Sequence, residues 1–264
     1  MKTFRKCRWL KWLLVLFFGG FVLHYAGRVF VFDRFGISGV SMEPTLAAGQ
    51  KVWVNKLLMG PRIYTNFDFS DGGLNCVRLP GARKLRVGDV AVFNYPYGRG
   101  GDSVAFKINF VYCKRCWGAP GDTVWIKDCR LVSDDSSLDC HDQEQNPVKF
   151  MDFLAEALPD KMSVQAGLFA GETENWTLRD FGPIVVPKRG MTIALDSVAR
   201  RHYSRVIDWE RRCDNCASGV VLEDFYTFQQ DWCFFVGDNY LNSVDSRHFG
   251  FVPMDFVVGI VPNK

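Results

Sequence analysis

An apolar stretch near the N-terminus limits what this chain can become more than any other feature. From Trp12 to Ala26 the sequence WLLVLFFGGFVLHYA is apolar apart from His24, and it lies between Lys11 and Arg28 with Trp9, Trp12 and Tyr25 near its ends. Basic flanks and interfacial aromatics around an apolar core mark a membrane segment. A spanning helix needs about 20 residues, so this one is short unless Lys11 and Arg28 turn their charges outward and lend their stems to the span. Cleavage after Ala26 would set His24 three positions before the cut, where a signal peptide needs a small residue, so an uncleaved anchor over residues 12–27 is expected behind a basic tail of residues 1–11. Lys2, Arg5, Lys6, Arg8 and Lys11 precede the span, against Arg28 and Arg34 soon after it. That imbalance puts the N-terminus in the cytoplasm and the chain from about Arg28 outside, as a single-pass protein of the cytoplasmic (inner) membrane.

The rest of the 264 residues is globular in balance, with 48% hydrophobic and 23% charged residues overall, which excludes a disordered chain or a multi-span protein. Five of the 32 bases belong to the tail, so 27 bases meet 29 acids in the remainder. A nearly neutral body argues against nucleic acid as a partner.

Eight of the nine cysteines fall beyond the anchor, where an even count permits disulfides. Cys129 with Cys140, and Cys213 with Cys216, are candidate pairs. Cys113-Cys116 and Cys213-Cys216 each form a CxxC, but a zinc ribbon sets its two pairs about 15 to 20 residues apart, and these stand much further apart. If Cys113 and Cys116 lie on a strand, their side chains point to opposite faces, which suits neither a shared metal nor a redox disulfide.

Short β-type runs punctuated by Gly, Pro, Asn and Asp dominate the exterior part: VFVF at 29–32, DVAVFNY at 89–95, INFVY at 108–112, DTVWI at 122–126, TIAL at 192–195, CFFV at 233–236 and FVVGIV at 256–261. The fold class expected is mainly β. The one helix expected beyond the anchor is at about 147–158, where VKFMDFLAEAL spaces its apolar residues helically. Residues 128–231 are polar and irregular and read as an insertion or second subdomain between a first part (28–127) and a last part (232–264) of one β domain. Residues 60–83 look like a shorter insertion.

Several catalytic signatures are absent, including HExxH, GxxxxGK[ST] and a GxGxxG between strand and helix. A GxSxG elbow nearly appears at Gly39-Val40-Ser41-Met42-Glu43, but Glu43 and then Pro44 stand where the tight turn needs Gly. Of the four histidines only His248 lies near other suggestive residues as a general base. Three stretches dense in Gly, Pro and polar residues adjoin strands: ISGVSMEPTL (37–46), CKRCWGAPGDTV (113–124) and FVGDNYLNSVDSRHFGFVP (235–253). Each alone is ordinary turn chemistry. Together they supply a serine, a lysine on a strand and further polar groups, which is a nucleophile, a base and orienting residues without histidine.

These stretches resemble the type I signal peptidases, the membrane-bound Ser-Lys serine peptidases that remove signal peptides. SMEPT matches that family's SMxPT, KRCWGAPGD its KRxxGxPGD and GDNYLNSVDSRHFGFVP its GDNxxNSxDSRxxGxVP, while RVGDVAVFNYP (86–96) matches an intervening strand box. The boxes cover about a quarter of the chain and follow the family's order behind an anchor. The resemblance implies coiled antiparallel sheets behind one transmembrane helix, with a large insertion and no metal or organic cofactor.

It also implies Ser41 as nucleophile and Lys114 as general base. Bringing a lysine from its usual pKa of about 10.4 to roughly 7 to 8 costs the charged form about 3 to 4.5 kcal/mol, which burial among apolar groups such as those of FVYCKRCW can supply. On a strand Lys114 and Arg115 face oppositely, so Lys114 can enter the core without its neighbour. Ser243 matches the serine that orients the lysine amine. Asp238, Asp245 and Arg247 are supporting candidates; the last two, two apart on an expected strand, form an ion pair. Some relatives carry a serine at the position of Gly39, where its hydroxyl helps the Ser41 N–H hold the oxyanion; that donor is missing here, and Ser38 faces the wrong way to replace it. Tyr240 and Leu241 replace the common Arg-Asp. The implied partners are membrane lipid and the signal peptides of exported preproteins, cut after small residues. The rival readings are a Ser-Lys peptidase that matures one pilin or conjugation protein, and an exterior thiol-disulfide protein using Cys113-Cys116.

Overall fold

The computed structural model describes residues 3–68, 73–97, 103–132, 176–212, 221–222 and 224–262. It begins with helix α1 (Thr3–Phe30), longer than the apolar core alone suggested because Lys11 and Arg28 both lie within it. Its stretch from Trp9 to Phe30 has 22 residues, a mean hydropathy of 1.7 and no burial against the rest of the protein. At about 1.5 Å per residue such a length matches a hydrocarbon layer of about 30 Å. The VFVF run is therefore mostly no strand: its first half completes α1, and only its last residue, Phe32, belongs to β1 (Phe32–Gly36).

The strands that follow are β2 (Lys51–Asn55), β3 (Arg62–Tyr64), β4 (Cys76–Arg78), β5 (Val90–Asn94), β6 (Val111–Gly118), β7 (Thr123–Lys127) and β8 (Arg130–Leu131). After these come β9 (Phe181–Val185), β10 (Thr192–Ala194), helix α2 (Ser197–Arg212), β11 (Val221–Leu222), β12 (Phe225–Thr227) and β13 (Trp232–Val236). A one-turn helix α3 (Ser246–Phe249), β14 (Val252–Pro253) and β15 (Val257–Ile260) are the last elements among the described residues. Of the INFVY run only Val111 and Tyr112 are extended; residues 108–110 turn into β6.

Seven strands form one antiparallel sheet in the order β1-β2-β15-β5-β6-β13-β14. Its centre is covered on both faces, which is why β5 reads as a continuous apolar run. Val90 and Val92 of β5 join a small cluster with Ile37, Met42 and Leu46, while Ala91 and Phe93 join the main core. The C-terminal β15 lies between β2 and β5, so the last residues close the sheet that the first ones open. Register shifts between Phe234 and Phe235 and between Val257 and Gly259 bend the sheet.

Two smaller antiparallel sheets, β8-β7-β9 and β10-β12-β11, and the β3-β4 hairpin complete the architecture. Residues 176–231 are thus not irregular where described. Leu178, Phe181, Ile184, Tyr203, Val206 and Ile207 belong to the same main core as Phe93 and Phe235. Helix α2 was not expected from the sequence, and the helix expected at 147–158 lies outside the described residues.

Candidate active site

Ser41 sits in the loop between β1 and β2, where a series of turns brings it back over β6. Met42 and Leu46 anchor that loop in the small apolar cluster, with Leu46 N–H donating to Met42 C=O at 2.8 Å. From the far side Asn239 fixes it twice: its backbone N–H donates to Ser41 C=O at 3.1 Å and its side-chain amide to Val40 C=O at 3.1 Å. Sequence reasoning did not single out Asn239, although it lies inside the third box; an amide beside a turn gives no sign of which carbonyls it will meet. Asn239→Ala is expected to lower turnover about tenfold or more through displacement of Ser41, with KM little changed; steady-state kinetics check it.

Lys114 is on β6 opposite Ala91 and only 4% exposed. Its Nζ and the Ser41 Oγ are hydrogen-bonded to each other. Burial is the largest influence on the amine and holds it below the ordinary lysine range, opposed first by the Asp245 carboxylate and then by Cys113, while Arg247 adds to the lowering. The Tyr112 ring centroid lies 5.5 Å from Nζ. Arg115 does point away, as the alternation of a strand requires. Its guanidinium meets Asp238 through Nε at 2.8 Å and Nη2 at 2.5 Å and donates to Gly88 C=O at 2.8 Å. Asp238 therefore serves β6 through Arg115 and does not hydrogen-bond Lys114.

Between β13 and β14 the third box is not a strand. It runs through a 3-10 turn (Tyr240–Asn242) into α3, and Asp245 caps that helix. The ion pair expected of Asp245 and Arg247 is present in this different setting, with both side chains fully buried. Arg247 donates from Nε and Nη2 to the two Asp245 oxygens, each at 2.8 Å, and Gly237 N–H adds a bond at 3.0 Å. Burial alone would push the Asp245 carboxyl up; Arg247 and these donors outweigh it and hold the carboxyl well below the usual range. Tyr240, a departure from the family's pattern, supports this pair: its ring centroid lies 3.8 Å from the guanidinium carbon, its C=O accepts from Arg247, and its hydroxyl donates to Leu178 C=O at 2.6 Å. His248 Nδ1 accepts from the Asp245 backbone N–H at 3.4 Å, so it completes the helix cap and does not line the groove at Ser41.

Ser243 is buried, and among the described residues its Oγ has no hydrogen-bond partner, so the bond to the Lys114 amine that the resemblance implies is not made here. It packs where Gly237 makes room: a Cβ on Gly237 would fall 2.2 Å from Ser243 Oγ and 2.5 Å from Ser41 C=O. Gly39 is the opposite case, with nothing within 4 Å of an added Cβ. Gly39→Ser is expected to leave the melting temperature unchanged and to raise kcat a few-fold, up to about tenfold, the worth of one added neutral hydrogen bond; thermal melting and steady-state kinetics check it.

A groove of about 520 Å³ runs past this arrangement between Phe35–Met42 on one side and Asn109–Lys114 on the other. The Cys113-Cys116 pair does not form a site. Cys113 packs against the small cluster and Cys116 lies in the main core, on the other face of the sheet. Burial raises both thiols, Cys113 to about 12. Cys140, Cys213 and Cys216 lie outside the described residues.

A family model described as signal peptidase, peptidase S26, matches residues 8–262. Signal peptidase I of Pseudomonas aeruginosa is 36% identical over 105 residues, 39% of this chain and 31% of that protein, so under a third of that relative is matched. Signal peptidase I of Bacillus licheniformis is 26% identical over 197 residues, 75% of this chain and 76% of that protein. A crystal structure of a signal peptidase I from Enterococcus faecalis V583 aligns over 68% of this chain and 97% of the other, with 21% identity and a TM-score of 0.28. Matched along all but its extreme ends, the chain belongs to the signal peptidase family, peptidase S26.

Proposed function

We propose that the chain is a membrane-anchored Ser-Lys endopeptidase that removes signal peptides from exported preproteins. The observation that carries this reading is the contact between the buried amine of Lys114 and the hydroxyl of Ser41 at the wall of an open groove. A neutral Lys114 accepts the Ser41 proton as Oγ attacks the scissile carbonyl. The Ser41 N–H stabilises the oxyanion. The resulting ammonium then protonates the leaving amine, and the neutral amine it regenerates activates the water that releases the acyl group.

Strand pairing suggests how a peptide would lie. β6 pairs with β5 over Val111–Arg115 but with β13 only over Arg115–Gly118, so Val111–Lys114 have a second edge with no strand partner among the described residues. That edge faces the groove, and an extended peptide added there passes Ser41. In this reading residues 28–127 and 232–264 form the catalytic β domain and 128–231 an insertion, and the basic tail keeps the N-terminus cytoplasmic with the groove outside the cytoplasmic membrane.

The deciding experiment is cleavage of a preprotein by the detergent-solubilised chain, with the cut located by mass spectrometry. A single cut after a small residue, absent with Ser41→Ala, is expected; cleavage surviving that substitution removes Ser41 from the reaction. The pH profile is a second test. Since burial lowers the Lys114 pKa, the acid limb of kcat/KM is expected below the ordinary lysine range, with activity rising as pH rises through it. A limb at about 10.4 would mean a solvated lysine.

A further inference from the structure

We infer that the cavity where α1 meets the main sheet binds the phosphate of a membrane phospholipid through Arg28, Lys56 and Arg62. The cavity holds about 340 Å³ and is bounded by the last turns of α1, the strand β1, Lys56 just after β2, and the strands β3, β5, β6 and β15. Among the described residues three cations line it against one carboxylate, Asp33. That carboxylate is already shared: Arg28 reaches it through Nη2 at 3.0 Å and Nε at 3.2 Å, and Lys56 Nζ at 3.3 Å. Lys56 also donates to the Arg28 carbonyl at 2.8 Å, which ties the end of α1 to the sheet.

Among the described residues Arg62 hydrogen-bonds no carboxylate. Its guanidinium donates to Asn94 Oδ1 and to the Asp255 carbonyl, each at 3.0 Å, both neutral acceptors. Two positive charges are thus left over in a partly desolvated space. Burial lowers the pKa of both Lys56 and Arg62, opposed by Asp33 at Lys56 and by Tyr64, Cys76 and Asp255 at Arg62. An entering phosphate would supply counter-charge, with the guanidinium plane suited to two of its oxygens.

The surroundings favour a lipid over the free ion. Beside the cations the wall is apolar, with Tyr25, Val29, Phe35, Ile108 and Val258. A free phosphate has no use for that wall, whereas the glycerol and first methylenes of a lipid do. The cavity also opens at the end of the apolar stretch of α1, which closes at Phe30, and this is the depth at which headgroups lie. The inference rests on α1 crossing a membrane and not on the peptidase chemistry, and its test reads binding alone.

The full chain in maltoside micelles, stripped of lipid, is titrated with phosphatidylglycerol and observed by native mass spectrometry. One lipid is expected to saturate ahead of the rest. Lys56→Gln should weaken that first binding at least fivefold. Asp33→Asn, which frees Arg28 and Lys56, should tighten it several-fold. Arg62→Met should weaken it tenfold or more, but Arg62 also fastens β3, so the two milder variants decide if it misfolds. A second arm adds inorganic phosphate, which should not displace the lipid at equal concentration. No saturating first lipid, or unchanged binding in both Lys56→Gln and Asp33→Asn, overturns the site; displacement by phosphate at equal concentration overturns the lipid as its occupant.

Discussion

Lys114→Met is expected to lower preprotein cleavage by on the order of 10³-fold or more at every pH, with the melting temperature unchanged or higher. General-base catalysis is worth about 10² to 10⁴, and where nucleophile and base act as a unit the loss of either costs nearly the whole of their joint effect. Methionine fills much of the same volume and removes a buried amine that burial already disfavours in its charged form, so the fold has nothing to lose. Lys114→Arg tests the same idea from the other side: a guanidinium stays protonated and cannot accept the Ser41 proton, so this variant should be equally inactive despite its similar length. Turnover above about a tenth of the parent in either variant would take Lys114 out of the reaction.

Arg247→Met should both destabilise the protein and move its pH profile. Breaking a fully buried ion pair on one side leaves Asp245 charged and uncompensated, a loss of about 3 to 5 kcal/mol, or on the order of 10 °C in melting temperature for a chain of this size. The electrostatic consequence has a definite sign. Arg247 lowers the Lys114 pKa and Asp245 raises it. With Arg247 gone the Lys114 pKa rises, less of the amine is neutral at pH 7, and the acid limb of kcat/KM shifts to higher pH. Asp245→Asn should destabilise comparably but shift the limb to lower pH. Profiles that move the same way in both variants, or not at all, would leave the pair a purely structural role.

The sequence offers Ser41 and Lys114 as candidates through its boxes taken together, since a serine among turn residues and a lysine within an apolar strand are each ordinary alone. What it hides is long-range. Asp245 and Arg247 suit a strand by spacing, yet Asp245 is a helix N-cap, and only the tertiary structure shows that Gly237 and Tyr240 complete its setting. Helix α2 escaped notice for a similar reason. Its inner face repeats Tyr203, Val206, Ile207 and Glu210, a helical period whose last member is an acid. Glu210 is nonetheless 2% exposed, since its carboxylate accepts from the Tyr226 hydroxyl, the Trp232 indole and the backbone N–H groups of Gln229 and Gln230. Four donors remote in sequence turn what reads as a solvent-facing residue into a core one. The length of α1 was ambiguous because a count of uncharged residues stops at Lys11, while the helix does not.

The β6 edge that has no strand partner among the described residues limits how firmly a peptide added there, as proposed, can be held. Tyr95 N–H donates to Phe110 C=O and Cys116 N–H to Asp89 C=O, so the even-numbered residues of β6 point their backbone groups toward β5. Only Val111 and Cys113 present theirs to the side that has no strand partner among the described residues. Two residues offer at most four backbone hydrogen bonds, together worth about 2 to 6 kcal/mol before the entropy of association is subtracted. A ladder that short is indifferent to most side chains and lets go quickly. If substrate pairs with this edge as proposed, sequence range and product release follow from so short a ladder, and local concentration at a membrane would have to make up for its weak hold.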